Sequence, residues 1–483
     1  MFILLPIAAY AAFFAYLRGI GAISVFDYPS GAAADREQAL LSDPNQYAAL
    51  AENLLAHNVY SVSERSPFEL HTFRTPGYPV YVAGMLASFR SYTAVIFSQI
   101  ILAALTAFLI LRIGECLGFR RAGFWAAIGY LIYPGTILNS FFILSDVLFA
   151  FLIVTGCYAL LSAARGASTR STVRLLCAYA GIGLIFGVAA LVRPIGVYMA
   201  TVLVPYAAWS AVRHDTTRKF VTAMSIALLA GCIILPAVWT ARNYAKAGEA
   251  VFSPTGPYNL LTVFVSRLES YRTGEPEDRT RDWLAAEAGA TTEAELQDAA
   301  MAPELSRIAM SYIRQDPFGY AKLHAMGVAK FFLTGSVDLF VYSVPRLKAV
   351  FVRWQLLPEG GFASLSASLF RGDLKELART VQSQSIVVAE RLGWVIVLAL
   401  ALWACIAPFA KPIRRELWLF AALVAYFAVL TGPIANARFR LPALPFLFLL
   451  AVIGCSILWD KHASSPGAVA VEIKNTPAHS AEA

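Results

Sequence analysis

Two short runs between the first two apolar stretches hold most of the residues able to do chemistry: Asp43-Pro-Asn-Gln-Tyr47 and His71-Thr-Phe-Arg74-Thr-Pro-Gly-Tyr-Pro79. An aspartate before proline at a helix start has a structural use, capping the free N–H groups of the first turn. It also has a chemical one, since a carboxylate can take the proton from an acceptor hydroxyl. A second carboxylate, Asp146, stands in Phe141-Phe-Ile-Leu-Ser-Asp146-Val-Leu-Phe. This reading places it roughly two turns inside a membrane span. A charge there costs about 2.5–3.5 kcal/mol on insertion scales, so Asp146 should face a polar cavity or a cation, or bond to a neighbouring helix.

Arginine supplies the opposite charge. Arg74 lies in the second run, while Arg193, Arg242, Arg438 and Arg440 fall at the outer ends of spans. A planar guanidinium fork matches phosphate oxygens, and several forks at one membrane surface suit a lipid-linked phosphate. One such residue could simply snorkel to headgroups; four at corresponding depth favour the phosphate. Prolines accompany three sites, in Arg74-Thr-Pro76, Arg193-Pro194 and Leu441-Pro442, where each would start or break a helix and open backbone groups to a cavity. Proline disfavours helix in the residue before it, so the stretch from Arg438 to Leu441 is expected to be extended, with the guanidiniums of Arg438 and Arg440 on one side. His71 and His324 are lone histidines and read as interface residues rather than ligands.

The scaffold that must position these groups is set by composition. In 483 residues, 58% are hydrophobic and 14% charged, with a mean hydropathy of +0.61. A soluble fold does not need that much apolar surface, so the bilayer is the solvent for most of the chain. Uncharged stretches able to cross a ~30 Å hydrocarbon core occur at 1–17, 93–111, 147–164, 175–192, 194–212, 220–241, 392–410, 417–437 and 441–459. The run 122–145 adds a crossing folded back at Pro134-Gly135, for about ten spans. Continuous apolar runs, not alternating ones, exclude a transmembrane barrel.

The formal charge of +8 could suggest nucleic acid, but its placement argues for membrane orientation. Arg112/Arg120/Arg121, Arg165/Arg170/Arg174, Arg213/Arg218/Lys219 and Lys411/Arg414/Arg415 occupy every second short loop. Positive-inside bias puts those loops and both termini in the cytoplasm, with 24–92, 242–391 and 432–440 outside. The apolar start reads as a retained span, since it has no basic n-region or cleavage site. Of six cysteines, Cys116 falls in a cytoplasmic loop and the other five within spans, which leaves neither a disulfide framework nor a metal spacing. With no Asn-x-Ser/Thr acceptor either, the chain leans towards a bacterial plasma membrane.

The expected fold class is an all-α polytopic membrane protein. Residues 1–241 form a seven-span module that includes the first outer loop, 24–92. Residues 242–391 form a long outer-face segment with interface helices, 392–459 a three-span unit, and 460–483 a disordered cytoplasmic tail. In the first outer loop, Tyr47, Leu50, Ala51, Leu54 and Leu55 make one apolar stripe on a helix starting at Asp43, and Thr75-Pro76 starts a second with Tyr78, Val82 and Leu86 on one face. Ala302-Pro303 and Asp316-Pro317 start helices in the outer segment. The apolar stretch after Pro317 is read as interfacial, because one more crossing would invert the last three spans.

Taken in order, these residues resemble the bacterial glycosyltransferases of the C superfamily, among them protein O-mannosyltransferases and the lipid A aminoarabinose transferase. The features that carry the resemblance are Asp43 four before Tyr47, Asn53-Leu-Leu, Tyr60-Ser61, Arg74-Thr-Pro-Gly-Tyr-Pro79, Arg193-Pro194, Arg242-Asn243-Tyr244 with Asn259-Leu260, and Arg438-Phe-Arg440-Leu-Pro442. It runs over roughly residues 1–460. It implies an isoprenoid-phosphate sugar donor and inverting transfer on the outer face of the membrane. Asp43 then takes the place of the family's first-loop acid and Arg74 that of its basic residue beside the second interface helix. Two departures stand out: Pro44 where many members have a second acid, and Asp146 where many have glutamate.

The function expected is transfer of a sugar from a polyprenyl phosphate to a hydroxyl of a lipid, glycan or protein. Asp43 and Asp146 are the candidate catalytic carboxylates. Arg74, Arg193, Arg242, Arg438 and Arg440 are the candidate donor-phosphate ligands, and Tyr47, His71, Tyr78, Asn243 and Asn259 the candidate substrate contacts. No cofactor is required, a divalent metal is not excluded, and there is no nucleic-acid partner. A transporter or flippase of a lipid-linked anion is the alternative, but such proteins usually show repeated halves with matched broken helices, and these halves are unequal. A non-catalytic scaffold would leave the outer arginines unexplained.

Overall fold

A computed structural model describes residues 3–19, 43–165, 171–211, 217–336, 385–407 and 413–463. Among them the secondary structure is helical, with no strand. In hydrocarbon the backbone has no water to pair with, so apolar runs must close their hydrogen bonds internally. Each of the ten stretches expected to span is helical. They are α1 (Leu4–Gly19) and, after α2 (Asp43–His57) and α3 (Gly77–Phe89) of the outer loop, α4 (Tyr92–Cys116), the pair α5 (Arg120–Ile132) and α6 (Pro134–Phe141), α7 (Asp146–Arg165), and α8 (Thr172–Val192). A 3-10 turn (Pro194–Tyr198) leads into α9 (Ala200–Ala211), and α10 (Arg218–Ala247) follows.

The outer segment contributes α11 (Thr255–Asn259), a π turn (Leu260–Val265), α12 (Ser266–Thr273), α13 (Glu277–Glu287), α14 (Glu293–Leu296), α15 (Ala302–Gln315) and α16 (Pro317–Leu333). Three helices complete the chain: α17 (Ser385–Ile406), α18 (Arg414–Thr431) and α19 (Leu444–Ala463). Six helices, α4, α7, α8, α10, α17 and α18, are long and apolar enough to cross a membrane, while α1 and the apolar part of α19 are shorter. The two remaining expected spans are broken, one at Tyr133-Pro134 and one at the 3-10 turn after Arg193. The chain is thus an all-α polytopic membrane protein, with six helices among the described residues long and apolar enough to cross. Of the tail expected to be disordered, 460–483, residues 460–463 instead continue α19, and the rest of it lies outside the described residues, as do residues 337–384 of the outer segment.

Side-chain contacts gather the basic loops at one end of the bundle. Glu115 pairs with Arg112 and Arg120 at the turn between α4 and α5. Arg165 at the end of α7 reaches Cys116 at the end of α4, and Arg415 at the start of α18 donates to the Trp209 carbonyl of α9 at 2.7 Å. The other end of these helices carries Arg193 and Arg438. Helices α8 and α10 meet backbone on backbone: a Cβ on Gly183 would lie 2.3 Å from the Leu228 carbonyl oxygen, so only glycine fits there. Gly77 does the same for the outer loop, since a Cβ on it would fall 2.6 Å from the Leu191 carbonyl carbon. That seats α3 on the last turn of α8 and brings Arg74 towards Arg193.

The amphipathic stripe on α2 is buried in its first half only. Tyr47, Leu50 and Ala51 are buried, whereas Leu55 is about half exposed. The outer segment has a core of its own, built from Leu261, Val265, Leu284, Leu296, Leu305 and Ile308 among others. Both proline helix starts hold, with Asp316 accepting the Gly319 N–H at 2.8 Å to cap α16.

Two sequence expectations fail here for backbone reasons. Residues 438–441 are not extended: the Leu441 N–H donates to the Arg438 carbonyl at 3.1 Å and the Ala443 N–H to the Arg440 carbonyl at 2.9 Å, so the chain coils in successive turns. Side chains two apart then diverge. Asp146 is not inside a span but is the first residue of α7, reached through a short extended break after α6. There its charge meets the positive end of the helix dipole.

Candidate active site

Five charged residues from four parts of the chain meet where α2, α7, the end of α8 and the turn before α19 converge. Asp43, a quarter exposed at the start of α2, accepts from Nη2 of Arg74 at 2.6 Å and from Nη2 of Arg438 at 2.7 Å. Arg438 also donates its Nε to Oδ2 of Asp146 at 3.0 Å, and Oδ1 of Asp146 is taken by Arg193. The result is an alternating chain, Arg74–Asp43–Arg438–Asp146–Arg193, of three cations and two anions. Arg74 is further held by Gln46, whose Oε1 accepts its Nε at 2.6 Å, and lies over the rings of Phe73 (4.9 Å) and Tyr47 (5.4 Å). Arg193 lies over Phe439 at 5.5 Å.

The cluster forms one end of a cavity of about 1320 Å³ that the outer segment roofs. Asp43, Tyr47, Arg74, Arg193, Arg438 and Asn259 all line it. Asp146 is fully buried beneath, where it bonds two of the arginines. The wall opposite comes from the outer segment. Asp278, Arg281, Asp282 and Ala285 share one face of α13, and Glu293 binds both Arg281 and the Tyr258 hydroxyl. Sequence reasoning missed this wall, along with Gln46 and Asn436. The clustered acids of 269–297 were its only signal, and nothing in their spacing tied them to Asp43.

Electrostatics follow from the pairing. Burial works to raise the Asp43 carboxyl, but Arg74, Arg438 and Arg193 together outweigh it and hold the group well below the usual carboxylate range. A group whose folded value lies below its unfolded value of about 4 stabilises the fold fully above that pH, and the contribution is lost as pH falls towards the folded value. Melting the protein and its Asp43→Asn variant side by side in detergent should therefore show the wild-type advantage from pH 5 upward and its disappearance at more acid pH. An advantage that does not change with pH would mean that Asp43 owes nothing to its charge.

The other expected site residues stand behind the cavity, for identifiable reasons. Arg440 is fully buried and spends its guanidinium on the carbonyls of Phe331, Phe332 and Thr334 and on the Tyr133 hydroxyl, 3.8 Å above the Trp394 ring. It pins the end of α16 to the membrane helices and does not line the cavity. Arg242 donates to the His71 carbonyl at 2.9 Å and packs on Trp239 and Tyr60, and Asn243 donates to the Val251 and Phe252 carbonyls. Together they fold the outer loop against the start of the outer segment. Burial, with Arg74 and Arg242 close by, pushes the His71 imidazole down to about 3, so it is neutral and outside the cavity lining. Tyr78 gives its hydroxyl to Gln99 at 2.7 Å and sets its ring edge-on to Tyr47, centroids 4.7 Å apart, which makes it a support for a lining residue. Among the described residues no group of three or more His, Cys, Asp or Glu is placed to hold a metal ion.

The family model for dolichyl-phosphate-mannose-protein mannosyltransferases matches residues 55–246. No curated protein matches the chain. Among solved structures, the Archaeoglobus fulgidus oligosaccharyltransferase tethered to an acceptor peptide is similar over 99% of this chain and 52% of its own, with TM-score 0.51 at 15% identity. The archaeal oligosaccharyltransferase AglB from Archaeoglobus fulgidus, in complex with an inhibitory peptide and a dolichol-phosphate, gives the same values. The chain therefore spans about half the length of these proteins, and at such identity the likeness speaks for the fold.

Proposed function

We propose that this chain, whose residues 55–246 match the mannosyltransferase family model and whose fold is similar to that of the archaeal oligosaccharyltransferase, is an inverting enzyme of the glycosyltransferase C kind that moves a sugar from a polyprenyl-phosphate donor to a hydroxyl of a lipid, glycan or protein. We place its site at the outer face of a bacterial plasma membrane and its sugar among the hexoses and pentoses. The observation that carries this reading is the convergence of Arg74, Arg193 and Arg438 with Asp43 at one end of a large cavity. The archaeal protein of the same fold has been seen with a dolichol-phosphate, the kind of head group an arginine-lined end would take.

The steps follow from charge. The donor phosphate competes with the two aspartates for the guanidiniums. The acceptor oxygen attacks the anomeric carbon from the face opposite the phosphate, its bond to carbon forms as the carbon–phosphate-oxygen bond breaks, and one displacement inverts the centre. The departing phosphate gains negative charge, which the arginines stabilise more strongly than the ester they first bound. Asp43 takes the acceptor proton. Paired with two arginines it is too weak a base, but a phosphate drawing Arg74 and Arg438 towards itself restores its basicity. Donor binding thus arms the base before the acceptor is deprotonated.

Incubating the purified protein in detergent with a panel of radiolabelled polyprenyl-phosphate sugars and envelope lipid or glycan acceptors tests this. Transfer of label is expected for at least one donor. It should survive EDTA, since Arg438 already bridges the two carboxylates. Passage of intact donor across liposomes with no sugar transferred would overturn the enzyme in favour of a transporter.

A further inference from the structure

Gln46 lies on the first turn of α2, only 2% exposed. Its amide is engaged on both sides. Nε of Arg74 donates to its Oε1 at 2.6 Å, and its own Nε2 donates to Oε1 of Gln297 at 3.0 Å. The direction is forced: arginine only donates, so Gln46 must turn its oxygen to Arg74 and its nitrogen to Gln297, which must then present an oxygen. Gln297 is itself 8% exposed and follows α14, whose Glu293 braces Arg281 and Tyr258 on the far wall of the cavity. The adjoining Ala299 N–H donates to Oγ1 of Thr72 at 3.0 Å, tying the same turn to the run that carries Arg74.

We propose that Gln46 is a positioning residue that couples the outer-segment wall to the reacting end of the cavity through the series Gln297–Gln46–Arg74–Asp43. The proposal rests on the reading of Arg74 as a donor-phosphate ligand and Asp43 as the base. Before a phosphate binds, Nε held by Gln46 and Nη2 held by Asp43 keep Arg74 aimed, and Gln46 still holds Nε when a phosphate draws the other nitrogens away from Asp43. A substrate that shifts the α14 wall shifts Gln297, and through Gln46 re-aims that fork. The outer segment therefore sets the geometry of the chemistry as well as enclosing it.

A double-variant cycle in the full-length protein tests the coupling. Gln46→Ala should lower kcat roughly tenfold to a hundredfold, the scale of a small misplacement at a reacting centre, with a smaller loss of donor affinity. Gln297→Ala should lower kcat in the same direction but less, and the double variant should be no slower than Gln46→Ala alone, because the two residues act in series. Gln297→Glu keeps an oxygen for Gln46 and should recover most of the loss. Additive effects, or unchanged kcat accompanied only by lower melting temperatures, would overturn the proposal. If the wild-type protein transfers no sugar, the reading of the site fails on its own. The cycle is then run on binding of sugar-free polyprenyl phosphate, where non-additive losses support the series and independent ones sink it.

Discussion

Arg438→Ala is expected to be the most damaging single change, lowering turnover about 10²–10³-fold, the range seen on removing one preorganised donor to developing charge. Arg438 bonds both carboxylates, at 2.7 Å from Asp43 and 3.0 Å from Asp146, and lines the cavity as well. Its loss leaves the fully buried Asp146 with Arg193 only. Removing one partner of a buried ion pair costs about 3–5 kcal/mol, so a lower melting temperature should accompany the slower rate. Lysine should recover part of the stability and little of the turnover, since an ammonium cannot span two carboxylates as the fork does. Arg440→Ala is the contrasting case: it should destabilise the protein, yet leave turnover per folded molecule near normal, because its guanidinium serves the carbonyls of Phe331, Phe332 and Thr334. Initial rates normalised to folded protein separate the two. Wild-type turnover in Arg438→Lys would reduce Arg438 to a charge at headgroup level.

Asp43→Asn should fold, retain donor and turn over about 10²-fold or more slowly, the usual scale for a lost general base. A second outcome goes with it. Asp43 holds Arg74 and Arg438 against any incoming phosphate, so replacing the carboxylate with a neutral amide should tighten binding of the donor while the rate falls. A cap or a tether predicts otherwise: a helix cap is worth about 1 kcal/mol of stability and little rate. Parallel titrations with a sugar-free polyprenyl phosphate and single-turnover rates distinguish these cases, and a stable Asp43→Asn protein with near-normal turnover would remove Asp43 from the chemistry.

Much of the candidate site was legible from residue type and placement. Asp43, Arg74, Arg193 and Arg438 are charged groups near the ends of apolar stretches, where charges pair with one another, face a polar cavity or snorkel to headgroups. Tyr47 and Asn259 were marked by their neighbours and do line the cavity. What misled was local reasoning about direction. Arg438 and Arg440 looked like a pair because two residues of extended chain point the same way, but the backbone turns there and sends one to the cavity and the other into the packing of α16 and α17. Arg242, Asn243, His71 and Tyr78 carry the right functional groups at the right depth and are consumed by carbonyls, rings and Gln99.

Composition and periodicity alone determined the class: long apolar runs leave helices as the backbone solution in hydrocarbon. They also named the charged residues that had to meet something. Which of these met was decided by tertiary structure alone. Gly77 against the backbone of α8 carries Arg74 to the end where Arg193 stands, and the turn before α19 swings Arg438 between two aspartates a hundred residues apart in the chain. The α13–α14 wall left only its clustered acids as a mark in the sequence, and Gln46 left none, because an amide becomes a relay only when a guanidinium and a second amide are packed on either side of it. Spacing along the chain registers contacts within one helix or strand; an ion-pair chain drawn from four segments depends on how those segments pack.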